Sequence, residues 1–403
     1  MKRCLVAFLA LAALLAGCTG TTEPRPPTLL VVGYAAASGP TLALVEDGGP
    51  TAGQARLQFV AGSERALMAD AVAIDVEDRD FTRANAWVLV RAQTTSGGVL
   101  AVQAWLQRFA VAGIDAAAPA AFAEDQARRV VLSGSGGVLV DPGLPGRTVC
   151  PSALQVTRNG QWALILDDPA ACGEAGFPVQ WLLNTVTGSA SALRATADVL
   201  ATSPYTDQVV GGERGYFLVS APGGAQVYAT DFTNSATWLG QARLGDSSAL
   251  VDMAGSGSVL VGLTTSRLTS LDLSDPSATP TAATLEVNAG PWARLVTDPL
   301  GATTEVLVLN GNRVALHRTP GTPEVGPVLV AAAAGSIDPI NRFAYLLTNG
   351  SITLVDLLTG LDEYDTPLQS GAFDVPELTL ATGADGRALG VITWVRALAT
   401  ATP

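Results

Sequence analysis

The sequence predicts an all-β chain of repeated strand pairs, and three observations carry that reading. From Leu29 onward, apolar runs of about four to eight residues, rich in Val, Leu, Thr and aromatics, alternate with Gly, Pro, Asp and Asn. Few stretches hold the 3.6-residue apolar spacing of a helix. Only Asp115 to Arg129 tempts toward one, and its alanines suit a loop and an inner strand equally well. The strand pairs also recur about every 45 residues along the chain.

The first element is not part of that repeat. Lys2 and Arg3 form a basic start, Leu5 to Leu15 is an apolar run too short to span a bilayer, and Leu15-Ala16-Gly17-Cys18 follows. This resembles the lipobox of bacterial lipoproteins. The resemblance implies a signal peptide over residues 1–17, cleavage between Gly17 and Cys18, and lipidation of the Cys18 thiol, palmitate included. Each buried methylene would contribute about 0.8 kcal/mol, and more than one acyl chain gives stable anchoring. Residues 18–28 then read as the lipidated cysteine and a flexible Thr/Pro/Gly tether. Residues 29–398 read as a single domain. Thr19 is not the Asp that resembles an inner-membrane retention signal. The expected location is therefore the cell envelope: the outer membrane where two membranes exist, otherwise the outer face of the cytoplasmic membrane.

The strand pairs come in order. Leu29 to Val45 opens the domain and leads on to Val60. Ala86 to Arg91 pairs with Val99 to Trp105, and Arg128 to Leu132 with Gly137 to Val140. Gln161 to Leu166 pairs with Val179 to Asn184, and Gly215 to Ser220 with Gln226 to Asp231. Ser258 to Leu263 pairs with Arg267 to Asp272, and Glu305 to Leu309 with Arg313 to His317 across Asn310-Gly311. The clearest copy is Asp338 to Gly360: an Asp-Pro turn, a strand, Asn349-Gly350, a second strand ending at Asp356, then Thr359-Gly360. Asn-Gly supplies the positive φ values of a tight hairpin, and an Asp near a Gly closes a turn on its own backbone. Similar turns precede first strands at Asp298-Pro299-Leu300-Gly301 and Thr157-Arg158-Asn159-Gly160. A last pair, Glu377 to Thr382 and Arg387 to Val395, follows the final full unit.

These units resemble the β-propeller superfamily, in particular quinoprotein-like propellers of seven or eight blades and those with a Tyr-Val-Thr-Asn signature. Tyr345-Leu346-Leu347-Thr348-Asn349 departs from that signature by a Leu-Leu pair where one Val stands. The resemblance implies four-stranded antiparallel blades around a channel. Counting hairpins predicts eight blades, with the C-terminal strands completing the blade begun by Leu29 to Val60. Seven is the alternative, if the short unit at Arg128 to Val140 is an excursion. The regular tryptophan of quinone-binding blades is missing.

Composition excludes several functions. Lys2 is the only lysine, so the chain beyond residue 17 has none, and removing Lys2 and Arg3 moves the net charge from -13 to -15. An acidic surface of this kind does not bind nucleic acid, and membrane contact would come through the lipid. Cys4 lies in the leader and Cys18 is the lipid site, which leaves Cys150 and Cys172. A disulfide between them would close a loop of about 22 residues and contribute about 3 kcal/mol.

Candidate chemistry is sparse. His317 is the only histidine, so the usual zinc constellations cannot be assembled. Ser133-Gly134-Ser135-Gly136-Gly137 lacks the first glycine of a nucleophile elbow and reads as a turn. Asp75, Glu77, Asp78 and Asp80 crowd six residues, and Asp362, Glu363 and Asp365 form a second such run; hard oxygens at that density suit calcium. Charge runs are more often solvated turns. No catalytic residue is nominated and no cofactor is expected beyond calcium at the first cluster. The expectation is a lipid-anchored, non-catalytic propeller that binds or scaffolds an envelope protein or glycan. The alternative is a lactonase- or glycosidase-like hydrolase with carboxylates or calcium in the channel.

Overall fold

The computed structural model describes residues 27–36, 38–48, 57–77, 84–112, 121–140, 147–209, 212–233, 236–244, 250–275, 277, 279–284, 293–300, 305–310, 313–318, 323–328, 332, 334–348, 351–357, 378–379 and 390–397. The expected signal peptide with Cys18, Asp78, Asp80, Asn349-Gly350 and the Asp362–Asp365 cluster lie outside these residues.

Seven antiparallel sheets of four or five strands are strung along the chain. The first blade holds β1 (Thr28–Ala36), β2 (Gly39–Asp47), β3 (Leu57–Phe59) and β4 (Arg65–Ala66). The second holds β5 (Asp70–Glu77), β6 (Ala84–Ser96), β7 (Val99–Ala112), β8 (Ala121–Glu124) and β9 (Val130–Ser133). The third is β10 (Pro151–Val156), β11 (Trp162–Asp167), β12 (Val179–Asn184) and β13 (Ala190–Ala195). The fourth is β14 (Tyr205–Val209), β15 (Gly212–Ala221), β16 (Gly224–Thr230) and β17 (Ala236–Arg243). Blade five comprises β18 (Leu250–Ser256), β19 (Val259–Thr264), β20 (Arg267–Asp272) and β21 (Thr281–Thr284). Blade six comprises β22 (Arg294–Thr297), β23 (Glu305–Leu309), β24 (Val314–Arg318) and β25 (Pro323–Val328). Blade seven comprises β26 (Ala334–Asp338), β27 (Phe343–Thr348), β28 (Ser351–Asp356) and β29 (Leu378–Thr379). The last strand, β30 (Val391–Ala397), returns to the first blade and pairs with β1.

The count corrects the expectation of eight blades. β9 does not start a blade of its own; it hydrogen-bonds to β7 at Ala104 to Leu106, beside β8 at Phe109 to Ala112. The reason is length. At 14 residues β7 has room along one edge for both strands. Arg128 to Val140 is thus an excursion of blade two: Gly134 and Gly136 take φ of 94° and 78°, and Val138 and Leu139 donate back to Val131 and Leu132. At the C-terminus only β30 completes the first blade, because β29 is the fourth strand of blade seven. The helix-tempting stretch ends instead in β8 and one turn of 3-10 helix, Gln126–Arg128.

Burial sits at the seams between blades. Alternation along each strand sends every second side chain toward a neighbouring sheet, and each of the seven seams has its own apolar cluster. Leu29, Val31 and Leu44 meet Ala86, Val88 and Phe109 between blades one and two. Trp87, Leu106, Ile165 and Trp181 join blades two and three. Leu164, Leu182 and Phe232 join three and four, and Leu218, Val227, Met253 and Leu260 join four and five. Val261, Leu263, Val306 and Val308 lie between five and six; Leu307, Leu316, Ile337 and Leu346 between six and seven. Leu30, Val32, Tyr345, Leu354 and Trp394 close the ring from seven to one. That last seam adds a polar tie, Tyr345 donating its hydroxyl to Asp47 at 2.7 Å, and within blade one Trp394 Nε1 donates to Thr28 Oγ1 at 2.9 Å.

Candidate functional site: the central channel

One strand of each blade lines the axis: β5, β10, β14, β18, β22, β26 and β30. Together they bound a cavity of about 360 Å³. Small apolar residues such as Ala73, Val76, Ala153, Val156, Ala254 and Val391 line it, but the surface it presents is more polar than apolar. Asp75, Asp207, Glu213, Asp252, Asp298, Arg158 and Arg294 also reach it.

Asp75 and Asp252 face the next blade. Asp75 Oδ1 accepts from the Val76 amide at 2.8 Å; its Oδ2 accepts from Val156 N at 2.7 Å and Gln155 Nε2 at 2.8 Å, both on β10. Asp252 repeats the arrangement three blades on. Its Oδ1 accepts from Met253 N at 2.9 Å and its Oδ2 from Leu295 N on β22 at 2.8 Å. Ser336 makes a neutral version, its Oγ accepting from Trp394 N on β30 at 2.8 Å. Each is a clasp between consecutive inner strands. Amides on the channel side of an inner strand have no fifth strand to pair with, and these side chains satisfy them. Burial pushes the Asp252 carboxyl up, while the Leu295 amide and Arg294 oppose the rise.

The end of β10 and the β14–β15 hairpin form a charged corner. Arg158 Nη1 donates to Gln208 Oε1 at 2.7 Å, and the Asn159 amide donates to Glu213 Oε1 at 3.2 Å. Burial raises both Asp207 and Glu213 above the usual carboxylate range, and Arg158 pulls both back. Tyr205 lies nearby with its hydroxyl donating to the Gly257 carbonyl at 2.9 Å, and burial raises its pKa. Its ring crosses β18 so closely that a Cβ on Gly255 would sit 2.2 Å from it. The direction of both carboxyl shifts favours the protonated form, the one a general acid needs, relative to a fully solvated carboxyl.

The predicted site residues are dispersed. Glu77 is buried and accepts from Asn85 Nδ2 and Trp87 Nε1, each at 2.6 Å, and from Arg108. Asp75 and Glu77 therefore spend their oxygens on N–H donors. Among the described residues no group of three or more His, Cys, Asp or Glu is placed to hold a metal ion. His317 lies on β24, two strands out from the channel, opposite Val306. The Cys150–Cys172 disulfide is present, with a Cα–Cα distance of 6.1 Å. It ties the start of β10 to the short 3-10 helix Pro169–Cys172. Asp207 and Glu213 were not singled out from the sequence. They stand alone among polar residues, and only the fold brings them to Arg158. No helix among the described residues is long and apolar enough to cross a membrane.

No family model matches this chain, and no curated protein matches it. Solved structures do. The periplasmic gluconolactonase of Pseudomonas aeruginosa superposes with a TM-score of 0.57 at 10% identity, over 92% of this chain and 99% of that one. A chain of a nidogen/laminin complex is matched at TM-score 0.39 and 9% identity, over 93% and 100%. At such identity the first likeness speaks to fold and not to activity. Sheet order, ring closure and that likeness agree: the chain is a seven-bladed β-propeller.

Proposed function

We propose that this chain is a non-catalytic binding or scaffolding propeller, held at a cell envelope by a lipid on Cys18. The observation that carries it is the use of Asp75 and Asp252. Both carboxylates are buried in the channel wall and bond the next blade's backbone, which makes them parts of the frame. A ring clasped this way is a rigid mount for loops that bind an envelope protein or glycan. The disulfide supports export, since such bonds persist in oxidising compartments. The test is crosslinking of the full chain in intact envelopes, beside a Cys18→Ser variant. The expected result is a stoichiometric partner that is lost with the anchor. Equal recovery from the variant, or no partner, overturns it.

A second reading is a channel hydrolase. The gluconolactonase likeness and the raised carboxyls of Asp207 and Glu213 favour it. Purified protein would be assayed on lactones with and without calcium. Turnover that falls at least tenfold in Asp207→Asn or Glu213→Gln would replace the binding reading with this one.

A further inference from the structure

β6 and β7 are 13 and 14 residues long, and their flanking strands stop short of them. β5 follows β6 only to Arg91, and β9 follows β7 only to Ala104, with Ser133 Oγ donating to the Val102 carbonyl beyond it. Past these points the two strands continue as a bare ribbon, paired with each other from Ala92↔Gln103 to Ser96↔Val99. Among the described residues nothing pairs with the outer edge of Ala92 to Ser96. Gln93 to Val99 are exposed.

Exposed edges are normally guarded by charges, prolines or bulges, because a bare edge templates another strand. This one has none of them. No Asp, Glu, Lys, Arg or Pro occurs between Arg91 and Arg108, and the pairing of β6 with β7 runs without a register shift. The ribbon is also braced at its base. Arg91 Nη1 donates to the Pro151 carbonyl at 2.9 Å and to Cys150 Sγ at 3.2 Å, and Arg91 Nη2 to the Ala171 carbonyl at 3.2 Å. Gln93 Nε2 donates to Cys172 Sγ at 3.0 Å. The disulfide of the next blade thus fixes the ribbon's direction, so a partner need not order it.

We infer that the β6 edge, Ala92 to Ser96, pairs antiparallel with the same edge of a second copy of this chain about a two-fold axis. An antiparallel strand edge is self-complementary about such an axis. Charge selects the patch. Two chains of net charge -13 repel over most of their surfaces, and this uncharged edge lets them meet without opposed carboxylates. Five residues span about 17 Å, an edge too short to bury the roughly 1,000 Å² that a strong interface needs, so the dimer is a weak one that forms at high local concentration. Thr94 then faces Thr94 of the second copy, and Gln93 faces Thr95.

Sedimentation velocity of the full chain in detergent, from about 1 μM to about 1 mM, tests this. The wild type is expected to shift toward dimer across that range. Thr94→Asp and Thr94→Lys alone are each expected to weaken the dimer at least tenfold, and an equal mixture of the two to restore it. Both substitutions are on an exposed strand, and unchanged melting temperatures would show that the fold is kept. A wild type that stays monomeric overturns the inference. So does a dimer indifferent to both variants, or a mixture that fails to reassociate. A monomer here leaves an anchor-dependent envelope partner standing, so this inference and the proposed function fail separately.

Discussion

Gly160 turns the chain between β10 and β11 at a φ of 65°, and a Cβ there would lie 1.5 Å from Glu77 Oε2. Glu77 cannot retreat, because it is held by Trp87, Asn85 and Arg108. Gly160→Ala is expected to lose about 2 to 4 kcal/mol from overpacking plus left-handed strain. Gly97→Ala, at φ 60° with nothing near the added carbon, should lose only about 1 kcal/mol. Urea midpoints of the two variants check the contrast. His317 is buried beside Val306, and neither ring nitrogen has a hydrogen-bond partner among the described residues. Burial lowers its pKa from 6.5 to about 4. The unfolded chain therefore takes up the proton first: the stability contribution is whole above pH 6.5 and is lost as pH falls to about 4. The loss is of order 3 kcal/mol. Urea unfolding at pH 7 and pH 4 should show that His317→Leu removes this part of the acid sensitivity. An unchanged slope would deny it.

The third blade shows what a covalent tie adds to an element. Cys150 and Cys172, 22 residues apart, close a loop around β11, and their sulfurs also receive Arg91 and Gln93 from the second blade. Replacing both cysteines by alanine is expected to lower stability by about 3 kcal/mol. The same change should raise amide exchange in β6 near Arg91, which loop entropy alone would not move. This pairing was readable from the sequence by elimination. The Gly134 to Gly137 turn was readable too, since turn chemistry is local. The strand it carries was harder to place. Nothing in Val130 to Ser133 says whether it opens a sheet or joins one, because a strand's partner is set by which edge is free, and that depended on the length of β7.

Closure is a property of the ring as a whole. β30 supplies the inner strand of the first blade, so the two ends of the chain hold one sheet together. Trp394 is buried there, bonded to Thr28 through its ring and to Ser336 through its amide. Trp394→Ala is expected to cost about 3 to 5 kcal/mol. If ring closure underlies cooperativity, that variant should also unfold over a broader denaturant range, with a lower m value. An unaltered m value would mean the other blades unfold together without the closure. By itself the sequence determined the all-β class, the hairpins and their turns, and the Cys150–Cys172 pair, because these rest on alternation, turn residues and counting within short stretches. Only the tertiary structure decided the number of blades, the single strand that closes the ring, and the use of Asp75 and Asp252 as clasps. Each of those depends on which distant backbone amides lie within hydrogen-bond reach, and no local pattern of residues encodes that distance.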